Sequence, residues 1–315
     1  MNTKPSPSER IWAAFAHLST LAMGIGLPLA LIGWSENRRK SRYAAFQSLQ
    51  ALGYQTLGYT LWLIGMLVLA VVSSVGFAAS VRTIETLEAD LAAWTAGYSL
   101  VIFGLVALYL VPPVLAAAAC ALGMDFRYPL LGSRLARYLD YDPSRASDES
   151  LWLNEDHEDR WVAGMGHFAV IIALWGLLAP ITAWALQGKR SPFLKFQSAQ
   201  TLVYQIGTSL LYVAAGFFYV FGLVVFALTI GFEGDAGVLS AGSMAGAIVF
   251  LVSLLLAMLI MLAVPLLHIL GQWAGYRVLK GHHYRYPIIG RLTEKLMSGR
   301  MPPAMTTASS SQEKI

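Results

Sequence analysis

The residues able to do chemistry in this sequence are few, and they come in pairs. His17 and His167 each lie inside an uncharged apolar stretch. Gln47, Gln50, Tyr54 and Gln55 have counterparts 150 residues further on in Gln197, Gln200, Tyr204 and Gln205. Neutral imidazole is the commonest metal ligand, so two buried histidines could hold a metal or a haem. No second carboxylate or thiolate accompanies either one at helical spacing, and a helix-to-helix hydrogen bond is the simpler reading. Glutamines inside a membrane face the bundle or a cavity. They could line a solute path, but interhelical hydrogen bonding is again the simpler role. The search for catalytic patterns finds no His-Glu-x-x-His, Gly-x-Ser-x-Gly, Walker A or Gly-x-Gly-x-x-Gly. The acidic segment 154–159 lacks the spacing and the glycine of an EF-hand. The sequence therefore points away from an enzyme and implies neither cofactor nor metal. The His282-His283 doublet alone is weak support for a metal.

The elements that must position these side chains are membrane helices. Of 315 residues 57% are hydrophobic and only 13% charged, about half the charge of a soluble domain, and the mean hydropathy is +0.58. Six stretches, 11–35, 43–81, 91–124, 161–188, 196–232 and 236–276, contain no Asp, Glu, Lys or Arg. Each exceeds the roughly 20 residues that a helix needs to cross a bilayer, and none alternates as a barrel strand would. The lone Cys120 permits no intrachain disulfide. A net charge of +4 does not point to nucleic acid.

The chain is a tandem repeat. Phe46-Gln47-Ser48-Leu49-Gln50-Ala51-Leu52-Gly53-Tyr54-Gln55 aligns with Phe196-Gln197-Ser198-Ala199-Gln200-Thr201-Leu202-Val203-Tyr204-Gln205, identical at seven of ten positions. The same shift pairs Arg10 with Arg160, His17 with His167, Gly26 with Gly176 and Ser41 with Ser191. After a small slip, Arg127-Tyr128-Pro129 pairs with Arg285-Tyr286-Pro287. The expected organisation is an N-terminal tail (1–8), membrane module 1 (9–139), an acidic solvated linker (140–158), membrane module 2 (159–297) and a disordered tail (298–315). Because the first apolar run recurs in mid-chain, it reads as part of the fold and not as a cleaved leader.

The fold class is all-α: a polytopic helical membrane protein of two modules, each with three apolar segments. The first segment of each module is hairpin-like or a single span, and the other two form a transmembrane hairpin. If every run crosses once, the 22 basic residues divide 13 to 9 between the two faces and the modules are inverted. If the first run enters and leaves on the same face, 21 of 22 share one face, a far sharper positive-inside partition. Runs of 25 and 28 residues are too short for two crossings, so a re-entrant hairpin bending at 24–28 and 176–180 is the economical form, with the inverted arrangement as its alternative. At 100° per residue Gln47, Gln50, Ala51, Tyr54 and Gly58 share one stripe, as do Gln197, Gln200, Thr201, Tyr204 and Thr208. The Arg-Tyr-Pro elements suit the headgroup region, each ending an apolar run; in module 1 a short amphipathic helix, 130–139, follows. Arg38, Arg39, Lys40, Arg127, Lys189, Arg190 and Arg285 are candidate contacts for lipid headgroups. The expected partners are the bilayer, with anionic lipids, and other membrane proteins.

On Glu9-Arg10 with His17-Leu18-Ser19, on Ser41 with Phe46-Gln47-Ser48-Leu49-Gln50-Ala51-Leu52, on Tyr128-Pro129 and on their equivalents in the second module, the chain resembles a bacterial membrane family. That family is related to the twenty-kilodalton subunit of the chloroplast inner-envelope (Tic) protein translocon. The resemblance covers both modules and implies an even number of crossings per module. The leading expectation for the chain as a whole is a scaffold or accessory subunit of a membrane complex in the bacterial cytoplasmic membrane, with its basic loops cytoplasmic. A solute or protein path between the modules is the alternative. The sequence departs from the relatives in having two modules and a first apolar region too short for two full helices.

Overall fold

Helix starts in this chain are set by side chains that take up the free backbone N–H groups of the first turn. The computed structural model describes residues 4–80, 87–145, 152–231 and 241–298. Helix α1 (Pro7–Leu18) begins with a capping box in which Ser6 accepts from the Glu9 N–H and Glu9 accepts from the Ser6 N–H. Helix α7 (Glu155–Phe168), its counterpart, is capped by Asn154, which accepts from the His157 N–H at 3.1 Å. Glu155, Asp156 and Glu158 occupy its first turn, where carboxylates complement the helix dipole.

Neither helix continues across the membrane. α1 tightens into a 3-10 stretch and turns at Met23, with φ 49° and ψ −136°, before α2 (Leu27–Asn37) leads back. α7 does the same at Ala173, with φ 48° and ψ −131°, before α8 (Leu178–Gln187). Met23 and Ala173 are repeat counterparts. The reversal is visible in paired contacts: Gly26 lies so close to Ser19 that a Cβ would overlap the Ser19 carbonyl, and Gly33 faces the Trp12 ring. Gly176 stands against the Ala169 carbonyl in the same way. Arms of 12 and 11 residues, then 14 and 10, reach only about 15–21 Å at 1.5 Å per residue, short of the roughly 30 Å hydrocarbon core. Among the described residues six apolar helical stretches are long enough to span a membrane, but the first of each module is folded back on itself. The bend falls at Met23 and Ala173, ahead of the Gly-Pro segments expected to make it. Pro28 and Pro180 lie instead in the first turns of α2 and α8, where a missing N–H costs nothing.

The remaining elements are α3 (Arg42–Gly53), a wider π-type turn at Tyr54–Gly58, α4 (Tyr59–Ser80), α5 (Leu87–Ala121) and α6 (Leu131–Tyr138), then α9 (Pro192–Gly231), α10 (Ala241–Leu279) and α11 (Ile289–Ser298). No strand occurs among the described residues. Ser41 and Ser191 cap α3 and α9, accepting from Ala44 and Leu194 N–H groups at 3.1 Å. Gly123 (φ 80°) and Gly281 (φ 92°) end α5 and α10 in the left-handed region. Leu61, Leu67, Val72, Phe103 and Leu108 on α4 and α5 are exposed, as side chains facing lipid must be.

The modules run parallel and share one core. The hairpin tips meet where Gly24 packs on Ile172 and Trp175, while at the open ends the Gln187 Nε2 donates to Ser35 Oγ at 2.6 Å. α2 therefore lies alongside α8 in the same direction, which excludes the inverted arrangement. Trp161 on α7 donates to the Leu49 carbonyl of α3 at 3.0 Å. The segment read as a solvated linker is structural at its end: Glu158 is buried and takes Arg38 Nε at 2.9 Å and Trp34 Nε1 at 3.0 Å, and Asp159 pairs with Arg38 at 2.7 Å. The loop at 233–235, residues 82–86 of the loop at 82–90, the middle of the linker and the tail beyond 298 lie outside the described residues.

Two outcomes check this topology. With Cys120→Ala as background, Lys40→Cys and Arg190→Cys react with a membrane-impermeant maleimide from one face and Glu88→Cys from the other; labelling of Lys40 and Arg190 from opposite faces would refute the parallel hairpins. Gly26→Ala and Gly176→Ala, which push a methyl into backbone, lower the melting temperature in detergent by about 5 °C or more.

Candidate functional site

The paired histidines sit near the inner ends of α1 and α7, one helix away from the glutamine stripes of α3 and α9. His17 Nε2 lies 2.9 Å from Gln47 Oε1 and its Nδ1 lies 3.0 Å from Tyr128 Oη. The Gln47 amide nitrogen donates to the Asp125 carboxylate and the Phe126 carbonyl, both at 3.0 Å. Those two groups only accept, so the amide is oriented without ambiguity and its oxygen faces the histidine. That oxygen also accepts from Gln50 Nε2 at 3.0 Å. His17 must then carry its proton on Nε2 and accept at Nδ1 from the Tyr128 hydroxyl. Burial pushes the Tyr128 phenol well above its ordinary range, which keeps it protonated as that donor. The imidazole is neutral, since it is fully buried and touches no carboxylate.

Gln50 completes the ring. Its amide nitrogen donates to the Phe126 carbonyl at 3.0 Å, and its oxygen accepts the Tyr128 N–H at 3.1 Å. The non-helical residues after α5 thus have their backbone groups met by two glutamine side chains. Tyr54 stacks on Tyr128 with centroids 4.1 Å apart and donates to the Tyr109 carbonyl at 2.8 Å. Gln55, further along the stripe, donates to Ser19 Oγ at 2.8 Å, beside the start of the hairpin turn.

Module 2 repeats this geometry. His167 contacts Gln197 Oε1 and Tyr286 Oη at 3.0 Å each. Gln200 donates to Gln197 Oε1 at 2.6 Å and to the Tyr284 carbonyl at 2.8 Å, and accepts the Tyr286 N–H at 3.3 Å. Tyr204 stacks on Tyr286 at 4.1 Å and donates to the Leu267 carbonyl. Gln205 donates to the Gly166 carbonyl at 2.8 Å. The six glutamines are at most 1% exposed. Both ring nitrogens of both histidines are occupied by protein partners, so iron or another metal would have to displace one of them.

Eight of the ten residues of the proposed polar path or interhelical contacts therefore fall into two matching clusters, and Gln55 and Gln205 bond further along the stripe. What the sequence reading missed is the far side of each cluster. Tyr128 and Tyr286, placed at the headgroups as anchors, are 2% exposed and close the bond to histidine. Asp125 and Tyr141 extend the first cluster alone, with Tyr141 donating to Asp125 at 3.1 Å. The repeat of the Arg-Tyr-Pro element was the available signal, because a tyrosine duplicated together with a histidine has a common reason to be retained. The candidate headgroup contacts divide. Arg38 is 8% exposed and committed to Glu158 and Asp159. Arg39 pairs with Glu155, Lys40 with Glu36, Arg127 with Asp125 and Arg285 with Glu294. Lys189 and Arg190 are exposed.

Fold and clusters together define a polytopic helical membrane protein of two tandem modules, each built on a histidine–glutamine–tyrosine lock. The chain belongs to the magnetosome magnetite crystal formation protein family (MamF_MmsF), which matches residues 8–135 and 158–293, one segment for each module. The resemblance to a bacterial membrane family stands at that level; this match carries nothing about the translocon subunit. No curated protein and no solved structure matches the chain.

Removing one member of a lock leaves buried partners unpaired. His17→Phe and Gln47→Leu are each expected to cost about 1–2 kcal/mol of stability. The double variant should be less destabilised than the sum by about 1 kcal/mol, measured as thermal unfolding in detergent; additive effects would separate the two side chains.

Proposed function

We propose that the protein is a non-enzymatic membrane accessory protein that serves magnetite crystal formation as a scaffold. The observation that carries this is the family membership, which extends over both modules. The geometry supports the scaffold form of it: the polar residues at membrane depth are spent on internal hydrogen bonds, and the apolar flanks of α4, α5, α9 and α10 are left for lipid or for other membrane proteins. A conducting path lined by the glutamine stripes has less support, because those side chains are buried and bonded to neighbouring segments. An accessory role in a protein translocon rests on the short motif resemblance alone. In this reading the basic loops face the cytoplasm from the bacterial cytoplasmic membrane or a membrane continuous with it. Lys189 and Arg190 are the basic side chains best placed to meet anionic headgroups.

The test is complementation. A magnetite-forming bacterium stripped of its own members of this family should regain crystal size, measured by electron microscopy, when it expresses the full chain. Gln47→Leu with Gln197→Leu should fail to restore it while a neutral lipid-facing change such as Val72→Leu succeeds. Unchanged crystals with well-expressed wild-type protein would sink the reading.

A further inference from the structure

Between the two modules lies a groove of about 880 Å³, walled by Leu57 and Leu61 of α4 and the turn before it, by Pro112 of α5, and by Trp161 and Leu279 of module 2. That volume is in the range of ligand sites. Its interior is apolar, Gly58 leaves one wall without a side chain, and the stacked Tyr54–Tyr128 pair forms another part. At its mouth stand two cations, Arg134 on α6 and Lys280 at the end of α10, with Tyr138 and Tyr276 beside them and no acidic residue in the lining. Both cations are exposed.

The repeat provides the second observation. In the alignment that pairs Arg127-Tyr128-Pro129 with Arg285-Tyr286-Pro287, the counterpart of Arg134 is Leu292, that of Lys280 is Leu122, and that of Tyr276 is Ala118. The cations and the tyrosine thus occur only on the copies of these positions that face the groove. On the opposite flanks of the same modules the equivalent positions are apolar, and Leu122 and Leu292 are exposed. Arg137, on the same helix as Arg134 but outside the groove, has the basic counterpart Lys295. Basic character at Arg137 belongs to the module, whereas at Arg134 and Lys280 it belongs to the groove.

The geometry points to a binding site for one anionic diacyl phospholipid. Its phosphate lies between Arg134 and Lys280, and an acyl chain runs down the apolar groove past Leu57, Leu61 and Pro112. Two cations at the membrane interface above an apolar slot fit a negative headgroup with a hydrocarbon tail. A protein segment would leave the cations without a partner unless it carried its own acidic pair.

The site is tested by native mass spectrometry of the full chain released from detergent, titrated with phosphatidylglycerol or phosphatidylcholine. One phosphatidylglycerol should be retained per chain, about tenfold more tightly than phosphatidylcholine. Arg134→Ala with Lys280→Ala should remove that preference, Arg134→Lys with Lys280→Arg should keep it, and Arg137→Ala should leave it unchanged. Leu61→Trp, a lipid-facing change that fills the slot, should weaken retention of both lipids. The proposal is overturned if the double alanine variant, with its thermal unfolding intact, still prefers phosphatidylglycerol. Release of that lipid by millimolar glycerol phosphate would overturn it as well, since it would mark a free-phosphate site with no role for the tail.

Discussion

Backbone that leaves the helix inside a membrane persists only where protein supplies the hydrogen bonds and cover that water and lipid cannot. This chain reverses inside the first apolar run of each module, at Met23 and again at Ala173, and much of the structure follows from covering those two tips. Each tip is flanked by the second half of a glutamine stripe: Gln55 reaches Ser19 beside the first turn, and Gln205 reaches the Gly166 carbonyl below the second. Each tip is also capped by the other, Gly24 against Ile172 and Trp175. Duplication of the module is thus a means of burial, since a single hairpin would present one side of its turn to lipid.

The histidine–glutamine–tyrosine lock answers the same constraint where the chain leaves α5 and α10. After α5 and after α10 the chain runs for several residues without helix, and its carbonyl and N–H groups at Phe126 and Tyr128, or Tyr284 and Tyr286, are met by two glutamine side chains. The histidine ties that exit segment to the first arm of the hairpin. One side-chain ring therefore joins three pieces of chain: first arm, stripe helix and exit loop. In module 1 the ring extends through Asp125 to Tyr141 and Arg127, and in module 2 Thr201 packs against the imidazole instead. The common part of the two rings is the part needed to hold the hairpin.

Equivalent surfaces of the two modules meet different surroundings. Trp161 and Met165 are buried on α3, while their counterparts Ile11 and Phe15 are 54% and 52% exposed. Trp34 is buried beside Glu158, while Trp184 is 43% exposed. Module 2 lays the face of α7 on module 1, and module 1 does not return the contact. The Arg38–Glu158–Asp159 cluster lies at this unequal seam, and the other copy keeps only one of its three charges: Gly188 replaces Arg38 and Ser8 replaces Glu158, while Glu9 stands for Asp159.

The sequence by itself determined the membrane class, the duplication and the paired histidines and glutamines of the two clusters. These properties are carried by the chain's own periodicity and by where charge is excluded, so they need no neighbour to be defined. The partition of basic residues favoured the hairpins over the inverted arrangement, and the contacts at the tips and open ends decided between them. Only the tertiary structure decided that the reversal falls at Met23 and Ala173 and not at the adjacent glycine and proline residues. It alone placed Tyr128 and Tyr286 inside, turned Arg38 from lipid to Glu158, and buried Trp161 where Ile11 is left exposed. Each of those outcomes depends on a partner far away in the chain. A tyrosine, an arginine or an apolar helix face has the same local signal whether it meets lipid, water or another helix, and the packing between modules selects among them.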